Sequence, residues 1–296
     1  MNNKHLTNLL KNHLFEVVIY PSGEADIRVV DIELLTKDSI RFCNKINASI
    51  FYIKDTPQNT IMYLTLLDLW AREISVMDSP SYHLRPVKVL VPYLPFGRSD
   101  KKTPLSSRGL DVYSKFEALS IYTVDPHASG RYFNYTTYNH NNNELYNLID
   151  GYDFIVYADK SANRTLRFLK CDKENEALAT LKYLQATKDR DFSTGQMSNF
   201  RFDYESSSVS KEDIIASRNV LVIDDICDGG GTFIPISNNL KSLNENIEID
   251  LYVTHGLFTK GLETLKQHYN HIITTNSVHR ESPLVDDNVT VINLLE

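Results

Sequence analysis

Short runs of β-branched and aromatic residues recur along the chain, and most of them are apolar at nearly every position. They are Phe15–Tyr20 (FEVVIY), Ser49–Ile53 (SIFYI), Val87–Leu94 (VKVLVPYL) and Ser120–Val124 (SIYTV) in the first half. In the second half they are Asp153–Ala158 (DFIVYA), Asn219–Asp224 (NVLVID), Ile249–Gly256 (IDLYVTHG) and His271–Thr275 (HIITT). A strand that is apolar at successive positions has no face to offer to water, so these runs predict strands buried on both faces, as in parallel sheets. Helical patterns such as Asn59–Ile74 and Thr232–Leu243 lie between them. Strand–helix–strand alternation predicts an α/β fold. The polar segment Tyr138–Asn147 divides the pattern into two halves of similar length, giving expected domains 1–142 and 143–296. A second polar stretch, Thr187–Lys211, has few apolar residues and is expected to be a long loop, either functional or disordered.

Composition narrows the function classes. The 296 residues are 42% hydrophobic and 23% charged, an ordinary soluble mixture that can bury a core without disulfides or structural metals. The formal net charge of -7 argues against non-specific binding to nucleic acid or acidic membranes, which needs clustered Lys and Arg. It leaves room for a local basic site for a small phosphorylated ligand. Cys43, Cys171 and Cys227 show neither zinc spacing nor a disulfide framework and are expected to be reduced thiols. No apolar run approaches the ~20 residues of a membrane span. The first twenty residues lack the apolar core and cleavage site of a signal peptide. A cytoplasmic protein is the expectation.

The strongest chemical signal is Asn219–Phe233 (NVLVIDDICDGGGTF). An apolar strand delivers Asp224 and Asp225 at its C-terminal end. Asp228, Gly229, Gly230, Gly231 and Thr232 follow, and then a helix begins. Glycines permit close backbone approach, and successive N–H groups at a helix N-terminus form an anion nest. That combination suits a sugar phosphate, with the carboxylates facing ribose hydroxyls. No Gly-Lys-Ser/Thr follows, so it is not a Walker A loop. Adjacent carboxylates on a buried strand are costly without a ligand or partner, which weighs against a purely structural turn. Other segments carry charge just past a strand: Val89–Lys102 (VLVPYLPFGRSDKK), Tyr122–Gly130 (YTVDPHASG), Phe154–Arg164 (FIVYADKSANR) and Tyr183–Phe192 (YLQATKDRDF). Read singly, each of the four would more often be an ordinary solvated loop.

Together, in this order, the segments resemble the ribose-phosphate pyrophosphokinases (PRPP synthetases), within the phosphoribosyltransferase superfamily. The resemblance runs from about Phe15 to Val278. It implies two phosphoribosyltransferase-like α/β domains, each with a mainly parallel central sheet flanked by helices, the first binding ATP and the second ribose phosphate. It implies that Arg98, Ser99, Asp100 and Lys101 hold ATP and that Tyr20, Ser22 and Glu24 (in YPSGEADIRV) contact adenine. It implies a magnesium cofactor with His127 and Asp159 as ligands, His127 also serving the ATP site. Lys188 and Arg190 correspond to the family's catalytic arm, and Asp224, Asp225 and Asp228–Thr232 to its ribose-phosphate loop. Thr254–Phe258 (THGLF) resembles a Thr-His-Gly turn at the end of a late strand. The implied reaction is pyrophosphoryl transfer from MgATP to an anomeric hydroxyl, with AMP released. The implied partners are ATP and a ribose phosphate, in a homo-oligomer of two or more copies.

Several positions depart from the family pattern. The first strand–helix unit is expected to be absent or replaced by a short helix before Phe15, and no counterpart of the usual long terminal helix and tail is expected after the strand-like VTVIN; the ATP loop is short, with Ser99 in place of the usual Gln. Gly229 stands where Thr is usual and Ser161-Ala162 where Gly-Gly is usual. Loss of the side chain at 229 removes a hydroxyl donor and enlarges the space expected around the 5-phosphate, which leaves two acceptors open, ribose 5-phosphate and a 5-substituted form such as ADP-ribose. A phosphoribosyltransferase and a catalytically silent regulatory homologue are the other readings.

Overall fold

The computed structural model describes residues 15–19, 25–29, 50–77, 86–98, 109–127, 135–137, 149, 151–163, 165, 182–190, 197–280 and 282–294. For 15–19, 25–29, 74–77, 135–137, 188–190 and 197–199 it describes backbone only. The chain divides into two compact units, Met1–Tyr138 and Asn139–Glu296. Both are α/β, built on parallel sheets. No helix among the described residues is long and apolar enough to cross a membrane.

In the first unit an antiparallel pair, β1 (Phe15–Ile19) and β2 (Ala25–Val29), precedes a sheet of β3 (Ile50–Tyr52), β4 (Val87–Leu90), β5 (Leu119–Thr123) and β6 (Tyr135–Thr137). These four strands lie in sequence order and all pair in parallel. Helix α1 (Pro57–Met77) crosses over between β3 and β4. Its start has a local cause. Thr56 Oγ1 accepts from the Asn59 amide at 3.3 Å, and proline occupies the first helical position, where no N–H is needed. Thr60, Tyr63, Leu64, Leu67, Asp68 and Ala71 then recur on one buried face. That face packs into a core with Phe51, Val87, Val89 and Ile121 from the strands.

Asp68 is a buried carboxylate within this apolar face, 4% exposed. It accepts from the Ala118 amide at 2.8 Å and from Arg72 Nε at 2.7 Å. Arg72 in turn donates to the Lys115 carbonyl at 2.7 Å. The pair ties α1 to the turn that launches β5, just after the 3-10 helix Gly109–Lys115.

In the second unit the sheet order is β13 (Val289–Ile292), β12 (Ile272–Thr275), β11 (Glu248–Gly256), β10 (Asn219–Cys227), β7 (Phe154–Tyr157), β8 (Tyr183–Arg190), β9 (Met197–Asp203). All neighbours are parallel except β8 and β9. Successive side chains go to opposite faces, and both faces are covered. Phe154, Val156, Val220, Val222, Leu251, Val253 and Ile272 enter one core, beneath α2 (Lys211–Ala216) and α3 (Phe233–Leu243). Ile155, Tyr157, Leu221, Ile223, Tyr252 and Ile273 enter the other. Helix α3 contributes Phe233, Ile236 and Leu240, each roughly 1.5–3 kcal/mol when fully buried. Tyr269 Oη donates to the Phe233 carbonyl at 2.7 Å and holds the helix start against the sheet.

The stretch expected to be a loop, Thr187–Lys211, differs. Its first part and its middle are the strands β8 and β9, which form an antiparallel ladder with an irregularity between Thr187 and Asp189. Phe200, Phe202 and Tyr204 alternate along β9 and just past it, with edge-on ring contacts at 5.4 and 6.3 Å. An edge ladder with one solvated side needs apolar residues only at every second position, so its composition is mostly polar.

Replacing Asp68 with Ala should leave the Ala118 amide unsatisfied and release Arg72, at a cost of about 1–3 kcal/mol. Thermal unfolding followed by circular dichroism should show a midpoint a few degrees lower. Asp68→Asn, which keeps an acceptor, should lose less.

Candidate functional site

In the second unit the chain runs from β7 outward through β8 and β9, then returns to the other side of β7 and continues through β10 to β13. The direction of winding therefore reverses between β7 and β10. In open α/β sheets a ligand crevice lies outside the carboxyl ends of the strands at such a switch point. The last β7–β10 pair is Tyr157 with Ile223, and the Ala158 amide donates to the Ile223 carbonyl at 3.1 Å. Beyond this point β10 runs on through Asp224–Cys227, paired with β11. Asp224 and Asp225 are 5% and 6% exposed, and the Asp225 amide donates to Asp224 Oδ1 at 3.0 Å. Here two carboxylates leave the apolar part of the strand and reach the sheet edge.

The glycine loop follows at once. Gly230 has φ +80°, a backbone conformation that favours glycine, and a Cβ there would sit tightly, 3.1 Å from Leu265 Cδ2. Its amide is directed at the Cys227 sulfur. Among the described residues no acceptor is found for the amides of Gly229 or Gly231. Thr232 is the N-cap of α3, yet its side chain makes no capping hydrogen bond. An eleven-residue helix thus begins without a side-chain cap, behind two uncommitted amides, which is an arrangement suited to an anion.

The neighbouring loop, after β11, is laced to this one. The Leu257 and Phe258 amides donate to the Cys227 carbonyl at 2.8 and 3.1 Å. The Thr259 amide donates to the Asp228 carbonyl at 3.0 Å, and Thr259 Oγ1 to Asp228 Oδ1 at 2.5 Å. The Thr-His-Gly end of β11 is packed beneath. A Cβ on Gly256 would lie 2.3 Å from the Phe258 ring and 2.7 Å from Thr274 Oγ1. His255 is 1% exposed, with Nδ1 2.8 Å from Ser277 Oγ, which donates to the Thr254 carbonyl at 3.1 Å.

Asp159 lies at the carboxyl end of β7, on the same sheet edge. Its Oδ1 accepts from Ser161 N at 2.8 Å, Ser161 Oγ at 2.6 Å and Ala162 N at 3.1 Å. This oxygen organises the turn. Lys188 and Arg190 stand near the carboxyl end of β8, whose last pairing with β7 joins Gln185 to Tyr157. The sheet thus brings Asp159, Asp224, Asp225, Asp228 and the backbone positions of Lys188 and Arg190 to one edge.

In the first unit Arg98 and His127 lie past the carboxyl ends of β4 and β5, which are adjacent. A Cβ on Gly97 would come 3.9 Å from His127 Cβ, so the two loops touch. Both loops carry backbone strain: Phe96 has φ 61° and Asp125 φ 36°, in the region that L side chains avoid. Tyr113 Oη donates to the Pro95 carbonyl at 2.9 Å and braces the first of them. Tyr20, Ser22, Glu24, Ser99, Asp100 and Lys101 lie outside the described residues, as do the side chains of Lys188 and Arg190.

Among the described residues no three His, Cys, Asp or Glu side chains gather as a metal cage. Magnesium usually keeps several waters and takes one or two carboxylates together with substrate phosphates. A single carboxylate such as Asp159, at the sheet edge beside the glycine loop, fits that kind of ion.

A doubly wound parallel sheet with two acids and a glycine loop at its switch point defines a phosphoribosyltransferase-type α/β protein. The chain is similar over nearly its whole length to a solved phosphoribosylpyrophosphate synthetase from Mycobacterium smegmatis, with a TM-score of 0.63, 16% identity, and coverage of 98% of this chain and 91% of that one. It is 26% identical over 298 residues to a ribose-phosphate pyrophosphokinase of Pyrococcus abyssi, spanning 94% of this chain and 90% of the relative. It is 25% identical over 224 residues to the ribose-phosphate pyrophosphokinase of Pyrococcus furiosus, spanning 71% and 74%. No protein-family model matches it. Over most of its length the chain is thus similar to ribose-phosphate pyrophosphokinases, at an identity low enough to mark it as divergent from them.

Cys227 is a free, buried thiol beneath the glycine loop. Burial, with Asp224 adding negative charge nearby, pushes its pKa up to about 12. A thiol reagent at pH 8 should leave Cys227 unmodified in the folded protein and label it after unfolding in guanidinium. Peptide mass mapping checks this, and rapid native labelling would show that the loop opens.

Proposed function

We propose that the chain transfers the β,γ-pyrophosphoryl group of ATP to the anomeric hydroxyl of a ribose 5-phosphate-type acceptor, releasing AMP. The observation that carries this reading is the carboxyl edge of β10. There Asp224 and Asp225 reach the switch point, and among the described residues the amides of Gly229 and Gly231 have no acceptor. The likeness to ribose-phosphate pyrophosphokinases supports the same reaction.

In the proposed mechanism the acceptor's phosphate rests on the Asp228–Thr232 loop, against the Gly229 and Gly231 amides, and Asp224 and Asp225 accept hydrogen bonds from ribose hydroxyls. The 1-hydroxyl oxygen forms a bond to the β-phosphorus and loses its proton. The bond from that phosphorus to the α,β-bridging oxygen breaks, and AMP carries the charge away. Arg98, Ser99, Asp100 and Lys101 bind the triphosphate, with Tyr20, Ser22 and Glu24 on adenine. Lys188 and Arg190 stabilise charge on the transferring group and the leaving AMP. His127 and Asp159 would hold magnesium, which when bound neutralises the triphosphate. No covalent nucleophile is needed, because positioning and electrostatics suffice.

Incubation with MgATP and ribose 5-phosphate should yield AMP and a 1-pyrophosphorylated sugar in equal amounts, read by chromatography and product mass. Chelation by EDTA should abolish turnover and magnesium should restore it. Consumption of a free base with the pyrophosphorylated sugar, without ATP, would instead reveal a phosphoribosyltransferase. Binding of both ligands with no product would reveal a silent regulatory homologue.

Lys188→Ala should lower kcat by ~100-fold or more with a much smaller change in the KM for ATP, because its contact forms mainly in the transition state. Steady-state kinetics on the purified variant decide this. An unchanged kcat would remove Lys188 from the mechanism.

A further inference from the structure

The missing side chain at position 229 is accounted for inside the protein. A Cβ on Gly229 would lie 3.2 Å from both Cδ and Cε of Lys260 and 3.4 Å from its Cγ. The stem of Lys260 therefore crosses the face of the glycine loop that a threonine at 229 would occupy. Lys260 comes from the loop after β11, and that loop is fixed. Thr259 is held to Asp228 through both backbone and side chain, and the Gly261 amide donates to the Phe258 carbonyl at 2.9 Å. The ammonium, one bond beyond Cε, has no hydrogen-bond or ion-pair partner among the described residues, and Lys260 is exposed to solvent.

An uncommitted cation whose stem lies against Gly229, itself the owner of an uncommitted amide, needs an explanation from charge. Asp224, Asp225 and Asp228 all lie on this edge. A phosphate placed on the loop brings further negative charge, close to two charges for a monoester at neutral pH. Backbone N–H groups and the helix end supply partial charges only. A lysine ammonium is the point charge that offsets the rest.

We infer that Lys260 is a substrate-binding cation that receives the acceptor's 5-phosphate, and that the acceptor is a terminal phosphomonoester rather than a 5-diphosphate diester such as ADP-ribose. The inference rests on the proposed ribose-phosphate site and names its substrate class. The triple glycine then has a different meaning from an enlarged pocket: the room at 229 is taken by the lysine stem, and the lost threonine hydroxyl is replaced by a full charge.

The test is ligand binding, measured apart from turnover. Ribose 5-phosphate is titrated by calorimetry into wild type, Lys260→Met and Lys260→Arg, with inorganic phosphate as a second probe. Methionine keeps most of the stem and removes the charge. Lys260→Met should weaken ribose 5-phosphate binding by about tenfold or more, the scale of one hydrogen bond to a charged group. It should leave the affinity for ATP and the thermal midpoint of the free protein unchanged. Lys260→Arg should stay within a few-fold of wild type, and ADP-ribose should bind wild type at least tenfold more weakly than ribose 5-phosphate. Unchanged ribose 5-phosphate affinity in Lys260→Met, no binding by wild type, or equal affinity for ADP-ribose would each overturn the inference. Lysine-dependent binding without AMP release would leave the inference standing and remove the proposed reaction instead.

Discussion

Strand β10 is paired in parallel on both sides and covered on both faces, and the site depends on this double burial. Val220, Leu221, Val222 and Ile223 are fully buried, so no polar side chain is tolerated along that length. Polar chemistry has to wait until β7 ends beside Ile223, and it begins at the next residue, Asp224. The register with β11 then sets what stands opposite. Cys227 faces Gly256, and this brings the following loops, Asp228–Thr232 and Leu257–Gly261, side by side. A slip of one residue in either ladder would turn every apolar side chain to the wrong face, so the loops are positioned by the core rather than by themselves.

The legible parts of the fold are those whose burial is two-sided. The runs at β7, β10, β11 and β12 are apolar at successive positions, and the structure makes each of them a strand. The β8–β9 ladder was not legible in the same way, because an antiparallel edge asks for apolar residues only at alternate positions. The signal was present at Phe200, Phe202 and Tyr204, separated by Arg201 and Asp203, and it is a period of two rather than a run. As a consequence Lys188 and Arg190 stand on strand β8, in a stretch whose composition suggested a loop.

The site divides along the same line. Asp224 to Thr232 is contiguous, so strand, acids, glycines and helix start could be read from one segment. Asp159 could be read as an acid after a strand, but the three donors that occupy its Oδ1 come from a turn that only coordinates reveal. Lys260 was illegible. In sequence it is one cation in a Thr-Lys-Gly turn, far from Gly229, and only the β10–β11 register brings the two together. Sequence alone suggested that the absent side chain at 229 enlarges a pocket. The coordinates place a lysine stem there.

The claim on which the rest hangs is that ribose phosphate is held on the loop at the carboxyl edge of β10. Hydrogen–deuterium exchange across the chain, with and without saturating ribose 5-phosphate, addresses it directly, since bound amides are protected from exchange. Protection should appear in peptides covering Gly229–Thr232, and it should be lost in Asp225→Asn, which removes a charged acceptor for the ribose hydroxyls. Ribose 5-phosphate that binds with equal affinity while exchange at Gly229–Thr232 stays unchanged would contradict the assignment and move the acceptor site elsewhere.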